Sequence, residues 1–252
     1  MKSVNFISLM LAVLALLAFS VPAYASEMDS RIESSARQSY VFQTYLQDDH
    51  INVQSRDGAV TLRGTVSEES HKSLARETVA DLPGVKSVDS WLEVKSENPA
   101  KNSDLWLRDK VKTELLFHRS VSAGTTEVDV KDGIVTLRGY ADSQAQKELT
   151  TEYARDIEGV KDVNNEMTVS TPSKKIHRTA GEKIDDASIT ALVKMTLLYH
   201  RSTSAIDTKV TTKNGMVTLS GKAKNESEKD LATKLANDVH GVKNVNNRMV
   251  IE

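Results

Sequence analysis

The 252-residue chain contains no cysteine and only 4 prolines. Without thiols it cannot form a disulfide, bind zinc through thiolates or carry the lipid anchor of a lipoprotein. The stability of the protein must therefore come from packing of the folded chain.

Neither sign of charge is in large excess. The sequence has 33 basic and 35 acidic residues, which gives a formal net charge of −2. Nucleic-acid-binding proteins usually carry a strongly basic surface, so this composition argues against a nucleic-acid partner. Any attraction to phosphate groups must come from a local cluster of bases.

An apolar run, Phe6 to Val21, follows Lys2 near the N terminus and ends at Ala23-Tyr24-Ala25. A basic residue, a short apolar segment and an A-x-A site are typical of a secretory signal peptide, and the run is short for a membrane span. The sequence therefore predicts a signal peptide over residues 1–25, cleavage after Ala25 and a periplasmic mature chain.

Two short sequence blocks recur three times along the chain. The first block begins at Asp57, Asp132 and Asn214, as DGAVTLRG, DGIVTLRG and NGMVTLSG. The second block follows each of them, as LPGVKSV, IEGVKDV and VHGVKNV. In every copy the first glycine of the first block precedes the glycine of the second block by 26 positions. Successive copies, however, are offset by 75 and then 82 residues. This indicates one module, copied three times and joined by unequal linkers.

Each copy predicts a helix, a β-hairpin, a second helix and a final strand. Asp-Gly or Asn-Gly between alternating apolar residues is the sequence signal of a two-residue hairpin turn. Apolar residues at helical spacing follow, up to a glycine suited to the end of a helix. The opening helix is marked by Leu107, Val111 and Leu115 in copy two and by Ile189, Val193 and Leu197 in copy three. In copy one we assign it to the stretch with Tyr40, Val41, Tyr45 and Leu46, which gives that copy a shortened first loop.

The predicted fold class is α+β, with three tandem two-layer α/β sandwiches in the order helix-strand-strand-helix-strand. Each has a three-stranded mixed sheet that is covered on one face by two helices. The predicted domains span residues 35–96, 103–171 and 184–252. Units of this size bury only about 60% of their unfolded surface, so contacts between neighbouring units are expected to add stability.

This arrangement resembles the BON domain family. The order of amphipathic helix, [DN]G-x-VTL-x-G, helix and GVK-x-V covers nearly all of the predicted mature chain. The resemblance implies an envelope protein without catalysis that associates with phospholipid membranes, protects under osmotic stress and, in some accounts, gives chaperone-like help to exported proteins. It includes nine glycines that we interpret as structural, because backbone conformation explains each of them. These are Gly58, Gly64, Gly84, Gly133, Gly139, Gly159, Gly215, Gly221 and Gly241.

The sequence shows no pattern typical of catalysis or of a bound metal. The six histidines are scattered, with no H-E-x-x-H motif, and no serine lies in a G-x-S-x-G elbow. We therefore expect no enzyme activity, no cofactor and no metal site.

The two tryptophans stand where other copies carry polar residues, so the fold does not require either ring. Trp91 corresponds to Glu166 and Arg248, on the sheet face away from the helices, and Trp106 corresponds to Ser188. Tryptophan favours membrane–water interfaces, so both are candidate lipid contacts, and copy two is expected to contribute most. The alternative is that each ring packs between domains or against a linker. The basic neighbours of Trp106 complete this candidate site: Arg108, Lys110 and Lys112.

The repeated motifs LLFHRS and LLYHRS, which end at Ser120 and Ser202, form a second candidate contact. Arginine can bind two oxygens of one phosphate group in a bidentate manner. The candidates for headgroup binding are therefore His118, Arg119, His200 and Arg201. The alternative is structural: the cations complement the C-terminal dipole of the helix, and the aromatic ring seals the core.

The sequence thus predicts a non-enzymatic periplasmic protein whose partner is an anionic phospholipid membrane surface and which supports the envelope under osmotic or related stress. Two alternatives stay open. One is a chaperone-like protein that holds exported or outer-membrane proteins, and the other is a protein-interaction scaffold in the envelope.

Overall fold

The computed structural model describes residues 21–95, 103–121, 123–170, 184–203 and 207–252, with side chains from residue 27 onward. Most of the predicted signal peptide, residues 1–20, lies outside these ranges. Its last residues, Val21 to Ala25, form the start of the first helix.

The first domain contains α1 Val21–Gln38, α2 Tyr40–Thr44, β1 His50–Arg56, β2 Ala59–Val66, α3 Glu69–Ala80 and β3 Ser87–Val94. The second domain contains α4 Asp104–Phe117, β4 Thr126–Lys131, β5 Ile134–Ala141, α5 Gln144–Arg155, β6 Asp162–Asn165 and β7 Thr168–Val169. The third domain contains α6 Asp186–Tyr199, β8 Thr208–Lys213, β9 Met216–Ala223, α7 Glu226–Asp238, β10 Asn244–Asn247 and β11 Val250–Ile251.

The three sheets share one topology, which confirms the predicted α+β arrangement. In each, the first two strands form an antiparallel hairpin, and the final strand pairs in parallel with the second, central strand. In the second and third domains the final strand is interrupted. In the second domain the break follows Asn165, whose side-chain amide donates to the Lys147 carbonyl of α5 (2.9 Å), and Met167 then turns into the core.

Alternation along the strands separates a buried from an exposed sheet face. Val60 and Leu62, like Val135 and Leu137 in the second domain, are buried under the two helices. The residues between them point to the opposite face, which none of the helices described in the same domain covers. Every domain therefore presents one open sheet face.

An aspartate in each opening helix accepts hydrogen bonds from the hairpin turn of its own domain. Asp104 accepts hydrogen bonds from the backbone N–H groups of Asp132 (2.7 Å) and Gly133 (2.8 Å). The equivalent aspartates, Asp29 and Asp186, bind the other two turns in the same way. In all three domains the aspartate precedes the first turn residue by 28 positions.

This constant spacing shows that the predicted position of the opening helix in copy one was wrong. That helix is α1, where Ile32 and Ala36 are buried, and its loop to the hairpin is not shortened. The stretch from Tyr40 forms the separate short helix α2, which begins after Ser39. The prediction failed because α1 is rich in charged and serine residues. Few apolar positions are left to show the helical periodicity.

Substituting Asp186 with alanine is expected to lower the free energy of unfolding by about 2 kcal/mol, because two backbone N–H groups lose a charged acceptor. Urea unfolding measures this loss. Glu226→Ala is the matched control, since Glu226 also lies in the first turn of a helix but is exposed. Equal losses in the two variants would mean that the hairpin bonds contribute nothing beyond the helix dipole.

Helix α6 joins the three domains. Eleven of its 14 residues are buried, as expected of a helix with neighbours on all sides. The first domain packs α3 against it, and Lys194 of α6 forms an ion pair with Glu77 (3.2 Å). The backbone N–H of Tyr40 donates to Asp185, the N-cap of α6, at 2.7 Å. The small domains thus stabilise one another through a shared helical layer.

None of the helices in the described ranges combines the length and apolar character that a bilayer crossing requires.

Candidate functional site

The second and third domains hold each other through two equivalent contacts, which we call the reciprocal clasp. Residues 117–120, after α4, lie against residues 237–242 at the end of α7, and residues 199–202, after α6, lie against residues 156–160 at the end of α5. The backbone N–H of Arg119 donates to the Asp238 carbonyl (3.0 Å), and that of Arg201 donates to the Asp156 carbonyl (2.7 Å). Both HRS motifs therefore serve contacts between domains.

The two arginines of the clasp bind backbone carbonyl groups in the turns that follow the helix ends of the neighbouring domain. Arg119 donates to the carbonyl of Val242, and Arg201 to that of Val160, both at 3.2 Å. A cation at the C-terminal end of a helix is favoured by the helix dipole. The arginines thus lie near the C-terminal end of a helix, as the structural alternative for the motif expected, but this helix belongs to the neighbouring domain. The guanidinium groups are occupied in this way and are not arranged as an open phosphate site.

His118 is the centre of a buried polar network within the clasp. Its Nε2 lies 3.0 Å from a carboxylate oxygen of Glu114, and its Nδ1 lies 3.2 Å from Asp238. The ring of Tyr153 stacks on the imidazole at 3.8 Å, and the Tyr153 hydroxyl donates to Asp238 (2.7 Å). His118 has no exposed surface. The network ties α4, α5 and α7 together across the domain boundary.

The network keeps His118 protonated. Burial lowers the pKa of His118, but hydrogen bonds to Asp238 and Glu114 outweigh this effect and raise its pKa to about 9. Burial likewise opposes ionisation of Asp238, yet hydrogen bonds from His118 and Ser120 bring its pKa below the ordinary value. Burial raises the pKa of Glu114, whose second carboxylate oxygen has no hydrogen-bond partner within the described residues.

His200, at the equivalent position of the third domain, lies in a different environment. It pairs with Asp156 (3.3 Å), but Thr196 and Leu235 stand where the first network has Glu114 and Tyr153. Burial therefore dominates and lowers the pKa of His200. At neutral pH one clasp histidine is charged and the other is not.

Trp106 and Lys110 lie at the meeting point of the three domains. The Lys110 ammonium stands over the Trp106 ring (4.6 Å from its centroid) and over the Tyr199 ring of the third domain (4.9 Å). Attraction between a cation and two aromatic faces holds this arrangement. The three side chains line a pocket of about 150 Å³, which is also lined by Glu69 and Ser70 of the first domain.

These positions correct the surface roles expected of several candidates. Lys110 is 6% exposed, and His118 and His200 are buried. Trp106 is half-buried against the domain boundary, as the alternative interpretation of that ring proposed. These side chains are buried because the domains pack on one another. The sequence of a single repeat does not indicate this packing.

The other candidates remain at the surface. Trp91 is 67% exposed, on the open face of the first sheet. Lys112 is exposed on α4, and Arg108 is partly exposed and paired with Asp109 (3.0 Å).

Sequence reasoning missed Glu114, Tyr153 and Asp238. A signal was present, because copy three has Thr196 and Leu235 at the positions of the first two. An acid in place of threonine on the inner side of a helix indicates a buried partner.

All nine repeated glycines have positive φ angles. At Gly139 close approach adds to this: a Cβ would lie 1.9 Å from the carbonyl oxygen of Thr125, the residue just before the neighbouring strand. Only glycine fits where the hairpin strands meet so closely.

Comparison with known proteins places these features in a family. The model of the BON domain matches residues 28–96, 103–171 and 185–252, and its first match begins within α1. The chain is 32% identical over 139 residues to osmotically-inducible protein Y of Escherichia coli (strain K12), covering 55% of this chain and 67% of that protein.

A second relative is outer membrane lipoprotein DolP of Haemophilus influenzae, 34% identical over 114 residues, covering 45% of this chain and 56% of that protein. Among solved structures, CdsD, a structural protein of the type III secretion system of Chlamydia trachomatis, aligns over 90% of this chain and 92% of its own, with a TM-score of 0.25 and 18% identity. The chain belongs to the BON domain family and carries three copies of that domain.

Proposed function

We propose that this protein is exported to the periplasm, where it associates with anionic phospholipid surfaces and supports the envelope under osmotic stress without catalysing a reaction. The observation that carries the proposal is the triple BON match, together with relatives that are named for osmotic induction and for the outer membrane. The open sheet faces provide surface on which such a protein can act.

A non-catalytic role is supported by the use that the fold makes of its reactive groups. His118, Glu114 and Asp238 form a buried acid–base cluster, and they bind one another between domains. A catalyst needs such groups to converge on a space that a substrate can enter. In this protein they hold two domains together.

Deletion of the gene in its own host tests the proposal. We expect the deleted strain to leak more of a periplasmic reporter enzyme after an osmotic shift than the parent, and restored expression of the protein should reverse the leak. Fractionation should recover the protein with the periplasm or the envelope. Unchanged leakage, or recovery in the cytosolic fraction, would contradict the proposal.

A chaperone-like role is the second candidate, because large apolar side chains lie on open sheet faces. Trp91 is one, and Tyr140 on the second sheet is another. Such residues provide contact surface for unfolded clients. The purified protein should then suppress aggregation of a denatured outer-membrane protein without lipid, and Trp91→Ser with Tyr140→Ser should weaken this effect. Aggregation at the same rate with and without the protein would remove this candidate.

A further inference from the structure

The open sheet faces of the second and third domains have the same strand pairing but differ in charge. Because the two domains align with a constant offset, Glu127 corresponds to Lys209 and Glu166 corresponds to Arg248. The strand register is also the same: Glu127 pairs with Arg138, and Lys209 pairs with Ser220. The charge difference is therefore a property of the side chains and not of the backbone.

On the second domain the arginine of this face is neutralised by neighbouring acids. Arg138, on the central strand, forms ion pairs with Asp129 (2.7 Å) and Glu166 (2.8 Å). These pairs lie across three neighbouring strands. The face has no unpaired positive cluster that an anion could use.

On the third domain the corresponding face, which we call the basic face, carries four cations. Its inward neighbours Val210, Val217 and Leu219 are buried, so the alternate residues point outward. The outward residues of its four strands and of the break between β10 and β11, all within the described part of the chain, include no acid. They are Lys209, Thr211, Lys213, Met216, Thr218, Ser220, Lys222, Asn244, Asn246, Arg248 and Val250.

Three of the four cations on the basic face make no ion pair within the described residues. Lys222 pairs with Glu252 at the chain end (2.7 Å), whereas Lys209, Lys213 and Arg248 are exposed and unpaired. Threonine and serine hydroxyls lie between them on β8 and β9. Cations and hydroxyl donors in one layer match the acceptor oxygens of phosphate groups.

Two exposed apolar side chains, Met216 and Val250, stand on the same face. A bilayer presents negative phosphates with apolar chains beneath them, so basic and apolar groups on a nearly flat surface are complementary to it. We propose that the basic face of the third domain is the surface with which this protein binds anionic phospholipid bilayers. The inference rests on the proposed function, and it replaces the first helix of the second domain as the contact.

Vesicle flotation of protein purified from a periplasmic extract tests the inference. The vesicles contain phosphatidylglycerol mixed with phosphatidylethanolamine, or phosphatidylcholine alone. The test variant is Lys209→Glu with Arg248→Glu, which gives the third domain the residues that the second domain carries at these positions. We expect its affinity for the anionic vesicles to fall at least about tenfold, since each base near such a surface contributes measurably to binding.

The matched control is Lys224→Glu with Lys234→Glu, which changes the net charge equally at exposed positions outside the basic face. It should bind anionic vesicles as the wild type does. Unchanged binding by the test variant, equal losses in both variants, or equal wild-type binding to phosphatidylcholine would overturn the inference while leaving lipid association in place. Failure of the wild type to bind any vesicle would remove lipid association itself, and this inference with it.

Discussion

Replacing His118 with leucine is expected to lower the free energy of unfolding of the clasped domain pair by about 3 kcal/mol or more. The substitution leaves Glu114, whose side chain is 3% exposed, and Asp238 without their cationic partner. A buried charge that loses its partner costs far more than an exposed one. Urea unfolding followed by the fluorescence of Trp106, which lies at the domain boundary, measures the loss.

His200→Leu is the matched control for this prediction. It removes the same side chain from the same motif, but its partner Asp156 is 39% exposed and His200 is neutral at pH 7. We expect a loss of about 1 kcal/mol, as for an ordinary hydrogen bond. If both variants lose the same stability, the charge of His118 does not contribute to holding the clasp.

The stability of the clasped pair is expected to fall as the pH rises from 7 towards 10. The pKa of His118 is raised to about 9 in the folded protein, from about 6.5 in the unfolded chain. The folded form therefore binds the proton more tightly, and the resulting stabilisation is fully present below pH 6.5 and is lost as the pH passes through 9. The total is on the order of 3 kcal/mol.

Free energies of unfolding at pH 7, 8, 9 and 10, for the wild type and for His118→Leu, measure this dependence. The wild-type values should converge towards those of the variant as the pH rises. The raised pKa values of Tyr153 and Tyr199 keep those hydroxyls protonated over this range, and the lowered pKa of His200 acts only on the acid side. Parallel curves for the two proteins would contradict the prediction.

Elements with strong local signals could be predicted from the sequence. The hairpins follow from Asp-Gly and Asn-Gly turns between alternating apolar residues, and the register found in the structure agrees, with Val53 opposite Leu62 in the first sheet. Helices α4 and α6 carry apolar residues at regular spacing and were located correctly. Helix α1 was misplaced because its apolar positions are few.

The environment of the candidate site residues could not be predicted. His118 and Asp238 are 120 residues apart, and neither carries a local sign of the other. The same holds for Lys110, whose partner ring Tyr199 belongs to another domain. Such contacts arise when separate modules pack together, which the period of a strand or helix does not encode. The open sheet face is an exception, because its exposure could be predicted. The equivalent residues Trp91, Glu166 and Arg248 differ so much that the fold cannot require a particular side chain at this position.

The sequence by itself determined the number of modules, their α+β form and the glycines at which the backbone turns, because each depends on residues close together in the chain. The tertiary structure alone decided that the HRS motifs join two domains, that one of their histidines is charged, and that three cations of the third sheet face make no ion pair within the described residues. These properties depend on burial and on charges brought together from distant segments, and both are fixed only when the domains have packed.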